Sequence, residues 1–169
     1  MKIGLISDTH YHLEESVFEH CKNCDEIWHA GDIGGMDVLE KLEAFKPTMA
    51  VWGNIDDHEV RAATTEGHVF EREGVRVLMT HIAGKPPRYN KQVHQHILRH
   101  KPRLLVCGHS HILKVMPDKA NNLIYINPGA AGIHGFHRVK TIMRFDLNAG
   151  KIENMEVIEL GLRGKLESQ

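Results

Sequence analysis

The stretch KIGLISDTH at residues 2–10 places an apolar run directly before two side chains that can bind a metal ion. We predict a β-strand over Lys2–Ser7, because apolar residues fill this run and a polar segment ends it. Asp8 and His10 follow the strand. In extended chain, residues two apart point to the same side. Both side chains are therefore predicted to face one centre.

Two later segments repeat this arrangement. The run EIWH predicts a strand over Glu26–His29, and Asp32 follows it. The run MAVW predicts a strand over Met49–Trp52, and Asn54 follows that one. Ligands of open α/β sheets bind outside the carboxyl ends of the strands, so these polar side chains are expected at one sheet edge.

The remaining elements follow from apolar periodicity and turn residues. We predict helices over Leu13–His20, Met36–Phe45 and Asn90–His100, and strands over Val75–Thr80, Arg103–Cys107, His111–Met116, Leu123–Asn127, Thr141–Leu147 and Lys151–Leu160. The order βαβαβ, hairpin, βαβ and then successive strands predicts an α/β (α+β) fold, with a mixed sheet or two stacked mixed sheets flanked by helices. Without a linker, repeat or low-complexity tract, residues 1–169 are expected to form a single domain, with a frayed tail from Gly161.

Composition excludes several classes of function. The 169 residues carry a formal net charge of −1, which disfavours general attraction to nucleic acid. No apolar run approaches the roughly 18 residues of a membrane span, and the N-terminus has no signal-peptide pattern. Three cysteines, an odd number, indicate free thiols in a reducing compartment, so we expect a cytoplasmic protein.

Two more strands end in histidines. His81 follows Val75–Thr80, and His109 and His111 follow the strand after the long helix. With the earlier residues these make two carboxylates, four imidazoles and one amide, a mixture of oxygen and nitrogen that suits transition metals better than calcium. Manganese is the first choice, with iron, zinc, nickel or cobalt as alternatives.

Seven ligands are too many for one tetrahedral zinc site, and two ions that share a bridging carboxylate would use them well. Two dications bring +4 and two carboxylates −2, which leaves a positive site for phosphate. A metal pair can lower the pKa of a bridging water to make hydroxide and can neutralise the phosphate oxygens. This pattern predicts hydrolysis of a small phosphate-ester substrate.

The pattern resembles that of the calcineurin-like metallophosphoesterases, in particular their small single-domain bacterial and archaeal phosphodiesterase branch. The motifs that carry the resemblance are Asp8-x-His10, Gly31-Asp32, Gly53-Asn54, His81, Gly108-His109-Ser110-His111 and Asn127-Pro128-Gly129. The resemblance implies a sandwich of two mixed β-sheets flanked by helices. It also implies roles: Asp8, His10 and His111 on one metal, Asp32 bridging, and Asn54, His81 and His109 on the other.

The chain departs from the family pattern at three positions. Ile55 stands where larger relatives carry a His that is a candidate general acid, Ile82 follows His81 where Gly is common, and Ala130 replaces a frequent Ser. His134 and His137, on a loop, are our candidates for contacting the substrate, together with Asn54, and for replacing the missing acid. A plain surface histidine is the alternative interpretation of each.

Other features have simpler interpretations. Asp8 or Asn54, taken alone, could be a turn residue, and His81 a core histidine. Cys21-x-x-Cys24 lacks a second pair and is interpreted as helix-end packing.

A phosphodiesterase is favoured over a phosphomonoesterase, because the motifs contain no Arg for a dianion's extra charge. A scaffold or protein-interaction module on the same fold is the alternative function. A homo-oligomer stays open.

Overall fold

The computed structural model describes residues 1–164, and its elements alternate as the sequence predicts through the first half of the chain. The helices are α1 Glu15–Cys21, α2 Met36–Phe45, α3 His58–Ala63 and α4 Lys91–His100. The strands are β1 Lys2–Ile6, β2 Glu26–His29, β3 Thr48–Ala50, β4 Gly67–Arg72, β5 Val75–Thr80, β6 Gly84–Lys85, β7 Arg88–Tyr89, β8 Leu104–Val106, β9 Lys114–Asp118, β10 Leu123–Asn127, β11 Val139–Asn148 and β12 Lys151–Leu162.

Two five-stranded mixed sheets form the body of the protein, which confirms the predicted fold class. Their strand orders are β12-β11-β1-β2-β3 and β4-β5-β8-β10-β9. Each sheet has three adjacent parallel strands, β1, β2 and β3 in one and β5, β8 and β10 in the other. Antiparallel strands lie on one side of the parallel group in the first sheet, where β3 is the edge, and on both sides of it in the second.

The main core lies between the two sheets. Trp28 and Phe145 from the first sheet are fully buried with Val77 and Leu104 from the second. The rings of Trp28 and Phe145 meet edge to face at 5.6 Å. Two outer clusters then cover the far faces. One packs α1, α2 and α3 on the first sheet, and the other packs α4 on the second.

Helix α4 shows how the local sequence sets an element. The Asn90 side chain accepts a hydrogen bond from the Val93 backbone N–H at 2.8 Å and so caps the first turn. Val93 and Ile97 are buried, while the helix histidines lie on its exposed or half-buried positions. The helix ends at His100, and the next residue, Lys101, has a left-handed φ of 48°. The expected amphipathic helix is therefore present.

Several predicted boundaries are wrong. The strand predicted over His111–Met116 begins at Lys114, because the histidine belongs to a loop. The tail does not fray at Gly161, since β12 continues to Leu162 by pairing with Val139 of β11. The prediction for residues 165–169 lies outside the described residues.

Four elements had no predicted range. Helix α3 is one of them, and its Asp57 cap accepts hydrogen bonds from two backbone N–H groups. The others are β4, which forms the expected hairpin with β5, and the two strands of the hairpin of β6 and β7.

The described residues contain no helix that is both long and apolar enough to cross a membrane. Cys21, Cys24 and Cys107 are buried free thiols. The first two pack with Val17 and Ile27 at the end of α1, as the helix-end interpretation predicts.

Candidate metal centre

The loops that follow the parallel strands bring six of the seven predicted ligands into two adjoining groups. Within each group, the candidate ligand atoms all lie within 4.8 Å of one another. The first group is Asp8, His10, Asp32 and His111, and the second is Asp32, His81 and His109. β1, β2, β5 and β8 supply these residues, so both sheets contribute at the edge where their parallel strands end.

Asp32 joins the two groups through different oxygens. Its Oδ1 lies 3.2 Å from Nε2 of His81, and its Oδ2 lies 3.5 Å from Nε2 of His10. The carboxylate is nearly inaccessible to solvent. One buried carboxylate therefore faces both groups, which is the geometry that a bridging ligand requires.

The first group is compact. Nε2 of His111 lies 3.2 Å from Oδ1 of Asp8 and 3.3 Å from Nε2 of His10. The other Asp8 oxygen accepts a hydrogen bond from the Ser7 hydroxyl at 2.6 Å. The His109 backbone N–H also points at the Asp8 carboxylate, 3.1 Å from Oδ2. Asp8 thus ties the loop after β1 to the loop after β8.

Asn54 lies on the wall of a cavity that it shares with His81 of the second group. The residue is exposed, and the cavity has a volume of about 450 Å³. Its backbone carbonyl accepts a hydrogen bond from Arg61.

The backbone at five of the seven predicted ligands is left-handed rather than extended, which corrects the expectation from the sequence. Positive φ angles occur at Asp8 (55°), His10 (48°), Asp32 (54°), His109 (67°) and His111 (55°). Such angles are uncommon in residues other than glycine and cluster at functional sites. The paired ligands of β1 and β8 therefore converge through tight turns, not through alternation along a strand.

Two glycines allow the loops to approach one another. A Cβ at Gly53 would overlap the Asp32 carboxylate, and a Cβ at Gly108 would overlap the Ser7 hydroxyl. Both positions need hydrogen rather than a side chain because the neighbouring loop occupies that space.

The His81 ring tests whether a cation suits the second group. Its Nδ1 lies 2.8 Å from the Ala30 carbonyl and donates to it, which leaves a lone pair on Nε2 in the neutral ring. That Nε2 is buried and makes no well-formed hydrogen bond within residues 1–164, although Oδ1 of Asp32 is 3.2 Å away. Two acceptors that face each other need a positive charge between them. A divalent cation fits this position.

The pKa of His81 agrees with that interpretation. Burial favours the neutral ring, but the hydrogen bond and charge of Asp32 outweigh it and raise the pKa of His81 above the ordinary value. The same contact lowers the pKa of Asp32 against the opposing effect of its own burial. In the absence of metal, the Asp32 carboxylate thus favours a proton at the position that a cation would fill.

His137 contacts the His111 ring through a ring nitrogen. Its Nε2 lies 2.9 Å from the Gly132 carbonyl, and its Nδ1 lies 3.3 Å from Nδ1 of His111. Burial lowers the pKa of His137, which favours the neutral ring. If His137 donates to Gly132, it accepts from Nδ1–H of His111, and Nε2 of His111 is left free to bind a cation. His134 has a more distant contact, since the centroid of its ring lies 6.0 Å from that of the His10 ring.

Sequence reasoning gave no role to His29, although it ends β2. The ring is fully buried, and burial lowers its pKa to about 3. Its Nε2 donates to the Thr9 hydroxyl at 2.9 Å, while its Nδ1 accepts from the Gly31 backbone N–H at 3.2 Å. His29 therefore braces the loops after β1 and β2. Its place at a strand end is the only signal that the sequence offers.

Asp56 also braces the centre. Its two carboxylate oxygens accept hydrogen bonds from the backbone N–H groups of Gly34 and Gly53, each at 2.7 Å. Asp56 thereby joins the loop after β2 to the loop after β3.

Comparison with known proteins gives the same picture. Residues 1–150 match the calcineurin-like phosphoesterase superfamily domain. A probable metallophosphoesterase of Methanothermobacter thermautotrophicus is 32% identical over 135 residues, which make up 77% of this chain and 77% of that protein. An archaeal phosphodiesterase of solved structure superposes with a TM-score of 0.76 at 21% identity, over 95% of this chain and 100% of that one.

Vps29 of Entamoeba histolytica, solved in complex with Zn²⁺, superposes with a TM-score of 0.71 at 16% identity, over 94% of this chain and 99% of that one. At these identities the two solved structures establish a common fold. The family assignment comes from the domain match and from the archaeal relative at 32% identity. The chain belongs to the calcineurin-like phosphoesterase superfamily, whose members are metal-dependent phosphoesterases.

Proposed function

We propose that this protein is a phosphodiesterase that uses two divalent cations. The observation that carries the proposal is the position of Asp32, whose Oδ1 faces His81 and whose Oδ2 faces His10. When bound, the two cations would activate a water molecule and neutralise the oxygens of the phosphate.

The residues of the chain would divide this work. We propose that Asp8, His10 and His111 hold one ion, that Asn54, His81 and His109 hold the other, and that Asp32 holds both. The left-handed loops fix the ligands before a cation arrives, which lowers the cost of ordering them. Asn54, at the rim of the cavity, is also placed to contact the substrate. His134 stays our prediction for a further substrate contact.

One feature supports a diester over a monoester, and another concerns the leaving group. The seven proposed ligands include no Arg or Lys, and the described wall of the cavity beside Asn54 and His81 includes none, so this side of the centre offers no added cation for the second charge of a monoester. Ile55 carries no proton for the leaving group, which favours esters of acidic alcohols or phenols. Manganese as the preferred metal and a cytoplasmic location stay predictions, as do the single domain over residues 1–169 and any homo-oligomer.

The direct test uses protein purified with added Mn²⁺. We expect about two metal ions per chain by elemental analysis, and hydrolysis of bis-p-nitrophenyl phosphate faster than that of p-nitrophenyl phosphate. Asp32→Asn should abolish turnover and lower the metal content, because the amide cannot replace a bridging carboxylate. Asp146→Asn is the matched control, since Asp146 pairs with Lys2 at the opposite end of β1.

Absence of turnover with Mn²⁺, Fe²⁺, Zn²⁺, Ni²⁺ and Co²⁺ would overturn the proposal. The alternative, a protein-interaction module, predicts that result together with little bound metal. One observation favours that alternative: Ile112 and Val115 are exposed apolar side chains, and Phe136, next to His137, is fully exposed. The metal-competent chemistry of all seven positions weighs against it.

A further inference from the structure

Two cavities flank the second metal group. One has a volume of about 450 Å³ and includes Asn54 and His81 in its wall. The other has a volume of about 420 Å³ and includes His109. Ile82 borders both cavities. A phosphodiester has two ester arms, so a phosphorus atom held at the metal group would have space for one arm on each side.

The two cavities differ in charge. The second, which we call the basic cavity, is bordered by Lys85, Arg88 and Lys114 and by no acidic residue of the described chain. Among residues 1–164, no carboxylate oxygen lies within 4.0 Å of the side-chain nitrogens of these three residues. Among the described residues, the first cavity has Glu66 and no Lys or Arg in its wall. Within this part of the chain, basic side chains therefore border one side of the metal group and not the other.

The hairpin of β6 and β7 carries two of these cations on opposite strands. Lys85 of β6 pairs directly with Arg88 of β7. Like charges opposite each other on neighbouring strands destabilise a hairpin. A bound anion would remove this repulsion, and Arg can present two parallel N–H groups to an oxyanion.

Two tyrosines hold the hairpin against the second sheet. The Tyr125 hydroxyl donates to the Gly84 carbonyl at 3.1 Å, and the Tyr89 hydroxyl donates to Oδ2 of Asp118 at 2.7 Å. The two contacts join β6 to β10 and β7 to the end of β9, the strand on which Lys114 lies. The three cations are thus carried by elements that are fixed relative to one another.

We infer that the basic cavity binds a second anionic group, a phosphate or carboxylate, on one arm of the diester substrate. This inference rests on the proposed phosphodiesterase function. The natural substrate is then an asymmetric diester, with one charged arm toward Lys85, Arg88 and Lys114 and one uncharged arm toward the cavity of Asn54 and His81.

Two synthetic substrates that differ in one group test this. One is the p-nitrophenyl ester of thymidine 5′-phosphate, and the other is the same compound with an added 3′-phosphate. With Mn²⁺-loaded protein we expect kcat/KM to be about five- to tenfold higher for the 3′-phosphorylated ester, as two or three exposed charge contacts would give. The gain should lie in KM, because the contact exists before the reaction, and it should shrink at high salt.

The variant Lys85→Gln/Arg88→Gln should lower the ratio between the two substrates toward one. The matched control is Lys151→Gln. Lys151 pairs with Asn148 of β11 beyond the start of β1, at the end of the sheet opposite the centre, and its ratio should stay at the value of the unchanged protein. The double variant should melt at an equal or higher temperature, because it removes a repulsion, so unfolding would not explain its loss of preference.

A binding measurement on the metal-free protein separates this inference from the proposed function. We expect thymidine 3′,5′-bisphosphate to bind at least about fivefold more tightly than thymidine 5′-phosphate, and the double variant to lose this difference. Hydrolysis of both esters at equal kcat/KM, or a preference that survives in the double variant, would overturn the basic cavity and leave the diesterase intact. No turnover with any cation, together with tighter binding of the bisphosphate, would overturn the diesterase and support the cavity as an anion site.

Discussion

At the residue scale, the metal centre depends on Asp and His residues held in left-handed backbone. This conformation costs roughly 1–2 kcal/mol per residue other than glycine. Local hydrogen bonds offset part of that cost. The Asp8 carboxylate accepts from the Ser7 hydroxyl and from the His109 backbone N–H, and the Asp32 carboxylate accepts from the Ile55 backbone N–H at 3.0 Å. The same carboxylates that would bind cations therefore also hold the turns.

The hydrogen bond between His137 and His111 leads to a first prediction. His137→Leu should weaken metal binding by about tenfold to a hundredfold, because Nδ1 of His111 loses its acceptor and the ring is no longer held with Nε2 toward Asp8. His137→Gln should be milder, since the amide oxygen can accept the same proton. Calorimetric titration with Mn²⁺ measures the affinity, and ¹⁵N shifts of His111 in the metal-free protein report its tautomer. Equal affinities and unchanged shifts in the Leu variant would refute the role.

The raised pKa of His81 predicts how metal binding depends on pH. A protonated Nε2 cannot bind a cation, so affinity should fall as pH drops through that pKa, by up to about tenfold per pH unit. The stability of the metal-free protein has the opposite dependence on pH. The protonated ring and Asp32 stabilise the metal-free fold fully below the ordinary His pKa, and this contribution is lost as pH rises through the raised value. Dissociation constants between about pH 8 and pH 6 test the first statement, and thermal melts in EDTA test the second.

At the scale of elements, the centre lies where the parallel strands of both sheets end, three strands in each sheet. β1, β2 and β3 lead into Asp8, Asp32 and Asn54, and β5 and β8 lead into His81 and His109. β10, the sixth, leads into Asn127, whose side chain donates to the Gly108 carbonyl at 2.6 Å. The strands are short and the loops between sheets are in direct contact, so ligand position depends on how closely the loops approach.

Gly108→Ala tests this close approach. A Cβ there would overlap the Ser7 hydroxyl and lie 2.7 Å from Oδ2 of Asp8. We expect metal affinity to fall at least about tenfold and stability to fall by roughly 1–3 kcal/mol. Gly67→Ala is the control, because the nearest atom to a Cβ at Gly67 is 3.4 Å away. Calorimetry and urea unfolding measure both effects, and a Gly108→Ala protein with unchanged affinity would contradict the prediction.

At the scale of the whole molecule, a buried ion pair joins distant parts of the chain. Lys140 on β11 donates to the carboxylate of Glu14, which precedes α1, and both side chains are almost fully buried. Residues from the N-terminal loop and a C-terminal strand are thereby held together near the loop of His134 and His137.

Removing one partner of this pair should be costly. Lys140→Met should lower the free energy of unfolding by about 3–5 kcal/mol, because the buried Glu14 carboxylate loses its lysine and keeps only the 3.3 Å contacts with the His12 ring and the Ser16 hydroxyl. The double variant Lys140→Met/Glu14→Leu should recover most of that loss, since two apolar side chains fill the same space without a charge. Urea denaturation compares the variants. A Lys140→Met protein as stable as the unchanged one would show that the pair contributes little.

Metal binding should stabilise the entire fold, because the ligands come from both sheets. At a metal concentration about 100 times the dissociation constant, the gain is about 2.7 kcal/mol, which corresponds to a rise in Tm of about 5–10 °C. Differential scanning calorimetry with Mn²⁺ and with EDTA measures the shift. Asp32→Asn should lose most of it, whereas Asp146→Asn should retain it. A shift that is the same in both variants would mean that the cations bind elsewhere.

The sequence by itself determined the order of most elements and the chemical nature of the candidate ligands. Apolar runs predicted the strands, and metal-competent residues after five of them predicted where ligands would collect, because the carboxyl ends of parallel strands share an edge. These inferences need only the local pattern. Asp8, Asp32 and His109 are accordingly recognisable without coordinates.

Only the tertiary structure decided the conformation of the ligand loops, the partner of His137 and the charge of the basic cavity. Left-handed φ at Asp8 or His111 results from contacts between loops far apart in the chain, and residue type does not encode it. Lys85 and Lys114 are separated by two strands and a helix, and they meet at one cavity because Tyr125 holds β6 against β10, the strand that pairs with β9. Contacts between distant residues depend on packing of the whole chain, which local sequence patterns do not contain.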